Sequence, residues 1–162
     1  MATVQIGFLM VFAALLVAAA WHDLRSLHIA DAFPLAIVAT YLAWALCGWV
    51  DGRYSPLEAG LAVACAVGLF AVGALAFAVG AWGGGDVKLL AAASLFAGPT
   101  GLILDYLLVT ALAGGLLAVM ALAGLSFGPP RVEPHAASRA RLPYGPAIAA
   151  GGLWIAAVRA LA

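Results

Sequence analysis

Two aspartates carry most of the chemistry this chain can offer. Asp23 lies in His22-Asp23-Leu24-Arg25, and Asp86 in Gly83-Gly84-Gly85-Asp86-Val87-Lys88. Each follows a long apolar run. A charge at the centre of a bilayer costs between about 2.5 and more than 10 kcal/mol, so carboxylates beside membrane segments are rare and tend to be functional. Two carboxyl groups about 3 Å apart cannot both ionise and so share a proton. Such a pair can activate a water with one member and polarise a carbonyl with the other, which is enough to hydrolyse a peptide bond without metal or covalent nucleophile.

The elements that must position them are apolar. Of 162 residues, 67% are hydrophobic and 9% are charged, and the mean hydropathy is +1.14. A soluble domain carries about 25% charged residues. The expected class is an all-α, polytopic membrane bundle of about six helices, forming one domain over residues 1–162. Seven basic and seven acidic residues cancel, which argues against a nucleic-acid partner. Cys47 and Cys65 lie inside apolar runs and form no Cys-x-x-Cys pair, so no metal or other cofactor is expected. The first apolar run lacks a basic start, so it is expected to stay as a helix and not to be cleaved as a signal.

A span needs about 20 apolar residues. The runs predict helices over Val4–Trp21, Phe33–Val50, Leu57–Trp82, Val87–Ala97, Leu102–Leu125 and Pro143–Leu161. The fourth reaches about half of the ~30 Å hydrocarbon core. Two spans separate Asp23 from Asp86, so both are expected on one side of the membrane. Arg25, Lys88, Arg131, Arg139 and Arg141 follow helices one, three and five, against Arg53 and Arg159 at the other ends. That bias predicts a cytoplasmic location for the aspartates.

The glycines Gly83 to Gly85 bring no side chains, so a substrate backbone could approach them closely. Asp86 opens the fourth helix, where the dipole favours a carboxylate; Asp23 closes the first, where it is disfavoured. The expectation is that the shared proton rests mostly on Asp23, with Arg25 and Lys88 perturbing the pair. Lys88 is read as either a substrate contact or a snorkelling lysine, and Asp31 as the N-cap of the second helix or a residue lining the site. His22 and His28 read as interfacial polar residues, Asp105 as interfacial or paired within the helices near the opposite face, and Trp21, Trp49 and Trp82 as belt residues at helix ends.

These motifs resemble a known family. Gly83-Gly84-Gly85-Asp86-Val87-Lys88 matches the Gly-x-Gly-Asp-x-Lys motif of type IV prepilin peptidases, which are GxGD aspartic membrane proteases. Asp23-Leu24-Arg25-Ser26-Leu27-His28-Ile29 resembles the family's first aspartate motif, and Leu142-Pro143-Tyr144-Gly145-Pro146 its opening of the last helix. The resemblance implies Asp23 and Asp86 as the catalytic pair; Gly83, Gly85, Lys88, Arg25 and Asp31 are the expected supporting residues. It implies a prepilin as substrate, cut just before its hydrophobic helix, with membrane lipid around the enzyme. The family's Ile-Pro-Asn reads here as Ile29-Ala30-Asp31. The long insert with zinc-binding cysteines is missing, so the chain resembles the short Tad or Flp form, which cuts without methylating. Other readings of the same residues are a small transporter or proton channel using the carboxylates as a relay, a silent assembly scaffold, and a preflagellin-type peptidase.

Overall fold

A computed structural model describes residues 3–125 and 142–161. The basic stretch with Arg131, Arg139 and Arg141 lies outside the described residues. Those described form six helices: α1 (Thr3–Ser26), α2 (Ala32–Val50), α3 (Pro56–Ala78), α4 (Gly84–Ser94), α5 (Leu102–Leu122) and α6 (Gly145–Leu161). Of these, α1, α2, α3 and α5 are long and apolar enough to cross a bilayer, and α6 is a shorter apolar helix of 17 residues. Large apolar side chains such as Leu35, Val67, Leu75, Leu112 and Leu122 stand exposed along the spans. Hydrocarbon solvates such a surface and water does not, and helices satisfy their own backbone polar groups there. The protein is a multi-pass, all-helical membrane protein with a short fourth helix.

Local chemistry sets the helix ends. Ser55 caps α3 in a reciprocal box, accepting the Glu58 N–H at 3.1 Å while Glu58 Oε2 accepts the Ser55 N–H at 2.8 Å, with Pro56 in the first turn. Such boxes satisfy two amides that the helix leaves unpaired. At the end of α1, Leu27 turns to a left-handed φ of 51°, and its N–H donates to the Asp23 carbonyl at 2.8 Å. His22 Nδ1–H holds the following turn by donating to the His28 carbonyl at 2.7 Å. Thus α1 runs on to Ser26, beyond the predicted Trp21, and Asp23 sits inside its last turn.

The short α4 is the centre of the molecule. Every residue from Val87 to Gly98 is buried except Lys88. It packs against α2, α3 and α6, while α6 lies between α1 and α5. Phe96, just past α4, stacks on Phe12 with ring centroids 4.0 Å apart and meets Tyr41 edge-on. The carbonyls after α4 are taken by Arg159 of α6, which donates to Phe96 O and to Ala97 O and lies 5.1 Å over the Trp44 ring. A cation at a helix C-terminus complements its dipole. The half-span is therefore fixed at its far end, and its first turn is set at the opposite end of the bundle.

Candidate active site

Three segments distant in sequence converge at that end. Asp23 is buried, with 3% of its surface exposed, and its Oδ2 accepts the N–H of Gly145 at 2.8 Å. Gly145 is the first residue of α6, so this amide is one of the four that a helix start leaves unpaired. Asp23 thus faces the positive end of α6, whose Gly145 amide works against the larger effect of burial, which disfavours the charge.

Asp86 is the third residue of α4, after the N-cap Gly83. Its side chain folds back towards the Gly83 amide, the position from which an acidic residue satisfies a cap N–H. Burial, then the neighbouring Asp23 carboxylate, push Asp86 up from 3.8 to about 7, although the Gly83 amide acts the other way. A carboxyl with such a value is half protonated at neutral pH, as a general acid should be.

The glycines serve internal contacts. A Cβ on Gly83 would stand 2.6 Å from Asp86 Oδ2, and one on Gly85 would stand 3.1 Å from Ile29 Cβ and 3.2 Å from Ile29 O. Gly83 leaves room for the Asp86 side chain, and Gly85 lets α4 start against the turn that follows α1. At both glycines the space that a side chain would fill is taken by the protein's own atoms.

The supporting residues divide. Lys88 Nζ pairs with both oxygens of Asp31 at 2.7 and 2.8 Å, tying the start of α2 to α4. The Asp31 side chain makes no cap hydrogen bond to α2; its carboxylate is taken by Lys88 instead. Both side chains are open to solvent, 45% and 65% exposed, so the pair contributes at most about 1 kcal/mol. Arg25 is exposed and lies 4.4 Å over the Trp21 ring. Two residues beyond Asp23 on a helix is a turn of about 200°, which points it away from the site. Asp105 is exposed in the first turn of α5, at the end opposite the aspartates.

A cavity of about 490 Å³ opens beside Asp86, with Trp82, Tyr144 and one face of α5 in its wall. The sequence places Trp82 in a lipid belt; the structure places it here, with its ring 6.5 Å from that of Tyr144. The α5 wall carried no signal in the sequence, because small residues are everywhere in this chain. Tyr144 lay within a recognisable motif.

Neither the curated proteins nor the solved structures returned a match to the chain. The model of the type IV leader peptidase family matches residues 10–126, which include Asp23, Asp86 and the α5 wall of the cavity. With most of the chain matched, this six-helix membrane protein belongs to the type IV leader peptidase family, the aspartic prepilin peptidases.

Proposed function

We propose that the protein removes the leader of Flp or Tad-like prepilins with Asp23 and Asp86 as its catalytic pair, at the cytoplasmic face of the membrane and without methylating the product. One observation carries the reading. Asp23 is held by the amide at the start of α6, and Asp86 is close enough to feel its charge and retains a proton near neutral pH.

In this reading the proton of the pair rests on Asp86, the reverse of the expectation from each helix's own dipole. Asp23 takes a proton from water as the oxygen attacks the scissile carbonyl, and Asp86 gives its proton to the carbonyl oxygen. The resulting diol collapses when Asp23 passes its proton to the leaving nitrogen and a diol hydroxyl returns one to Asp86. Acid, amine and both carboxyls end balanced. Supporting the orientation, Arg25 and Lys88 lie at the site's end, and the sequence joining α5 to α6 adds three arginines.

Co-expression with an Flp-type prepilin should convert the precursor to the mature form, seen as leader loss on a gel with an unmethylated N-terminus by mass spectrometry. A precursor that stays intact rejects the substrate class. In detergent, kcat/KM against pH should be bell-shaped, because one carboxyl must be ionised and the other protonated. Its basic limb should have a midpoint of about 7, where Asp86 loses its proton. Activity constant to pH 9 would remove Asp86 as the acid.

A further inference from the structure

We propose that α6 sets the relative height of the two aspartates from both of its ends, Gly145 holding Asp23 and Arg159 holding the half-span that carries Asp86. Arg159 is then a positioning residue for the reaction. The inference rests on the reading of Asp23 and Asp86 as the catalytic pair and names what fixes one against the other.

The need for an anchor follows from the length of α4. Its 11 residues rise about 16 Å, so it ends among apolar side chains and short of the far membrane surface. Phe96 is fully buried, against the rings of Phe12, Tyr41 and Trp44. Backbone carbonyls released there must find partners inside the protein. The Phe96 carbonyl accepts from Arg159 Nε. The Ala97 carbonyl accepts from Arg159 Nη2 at 3.4 Å and from the Thr100 hydroxyl at 3.0 Å. Gly98 then turns with φ of 68°, and a Cβ on it would stand 3.0 Å from Arg159 Nη2. A terminal arginine usually snorkels to the membrane surface; Arg159 instead turns inward over the Trp44 ring. A charge in an apolar bundle is costly, and its partners here are the end of α4.

The anchor reaches Asp86 through rigid backbone. The N–H groups of Leu95, Phe96 and Ala97 donate to Ala92, Ala93 and Ser94 at 3.4, 3.2 and 3.0 Å, the tighter winding common at helix ends. Phe96 is thus continuous with α4, and Asp86 stands about 15 Å away along it. On the other helix, Gly145 and Arg159 are about 21 Å apart along α6. Gly145 holds Asp23 by its amide. One helix therefore carries a contact to each carboxylate's own element, and sliding α4 along α6 would change the separation of the pair. The polar tie near the first turn of α4, Lys88 to Asp31, joins it to α2 and is open to solvent.

The test compares Arg159→Met with Arg159→Gln. Both lose the charge, but the Gln amide nitrogen follows three side-chain carbons, as Arg Nε does, and can still donate to Phe96. In purified protein without substrate, the infrared C=O band of the protonated Asp86 carboxyl, identified by its loss in Asp86→Asn, should titrate at about 7 in wild type. Burial and then Asp23 hold that midpoint up; Tyr144 is the other ionisable group in the cavity wall, and Lys88 is engaged by Asp31. An α4 that slips from its place loses part of both effects. Arg159→Met should therefore titrate lower, towards the ordinary carboxyl range, and cleave an Flp-type prepilin with kcat down about 10- to 100-fold. Arg159→Gln should keep both wild-type values. Loss of the distant charge alone would move the midpoint up, and equally in both variants. Tyr54→Phe removes the 3.1 Å Tyr41–Tyr54 hydroxyl contact at the same end; it should unfold earlier yet titrate as wild type. A wild-type midpoint in folded Arg159→Met, or the same displaced midpoint in both variants, overturns the assignment. If Arg159→Met does not fold, a displaced midpoint in folded Arg159→Gln overturns it. Leader cleavage by Asp23→Asn or Asp86→Asn would instead bring down the catalytic pair, while the infrared midpoints still judge the anchor.

Discussion

Asp23→Asn and Asp86→Asn should each lower kcat/KM for leader removal by at least about a thousandfold while leaving a folded protein. General acid–base catalysis contributes about 10²- to 10⁴-fold, and groups that act as a unit fail together. Asn at position 23 can still accept the Gly145 N–H through its amide oxygen, so the α1–α6 contact survives, but it cannot take a proton from water. Asn at position 86 keeps a donor beside the carbonyl yet cannot cycle a proton. The double variant should be no worse than either single one. Stability should move the other way at position 86. The wild-type carboxyl rises from 3.8 to about 7 on folding, so folding opposes its ionisation. The contribution of Asp86 to stability is therefore greatest below pH 4 and is lost as pH rises towards 7. The thermal midpoint of Asp86→Asn should exceed that of wild type at pH 8 and match it at pH 4. Gel-based cleavage, circular dichroism and thermal unfolding give these readouts. Normal cleavage by either variant rejects the pair and reopens the relay and scaffold readings.

The sequence carried the frame of this site and missed its contacts for definable reasons. Counting spans put Asp23 and Asp86 at one end, because an apolar run long enough to cross a bilayer has few alternatives. The short fourth helix was legible from length alone. The contact that holds Asp23 was not, because the expectation set each carboxylate against its own helix only. Asp23 is at the unfavourable end of α1, but Gly145, 122 positions away, brings the favourable end of α6 to it. The Asp31–Lys88 pair was hidden in the same way, since 57 residues separate its members. Gly85 read as open space for a substrate, but Ile29 occupies that space.

Gly145→Ala should reduce kcat by about a hundredfold, although it is among the mildest substitutions available. A Cβ there would lie 2.8 Å from both Cβ and Oδ2 of Asp23. The Asp23 Cβ is attached to the α1 backbone and cannot rotate away, so α1 and α6 must separate or the carboxylate must leave the Gly145 amide. Either change moves the proposed base by a good part of an ångström, and misplacement on the scale of 1 Å can cost about 10² in rate. The overpacking should also cost about 1–3 kcal/mol of stability. Gly60→Ala is the matched control. A Cβ on Gly60, within α3, meets nothing within 4 Å, and alanine in a helix interior is about 0.5–1 kcal/mol more stable than glycine. That variant should cleave normally and unfold slightly later. A kcat equal to wild type would mean that the Asp23–Gly145 contact does not set the geometry of the reacting pair.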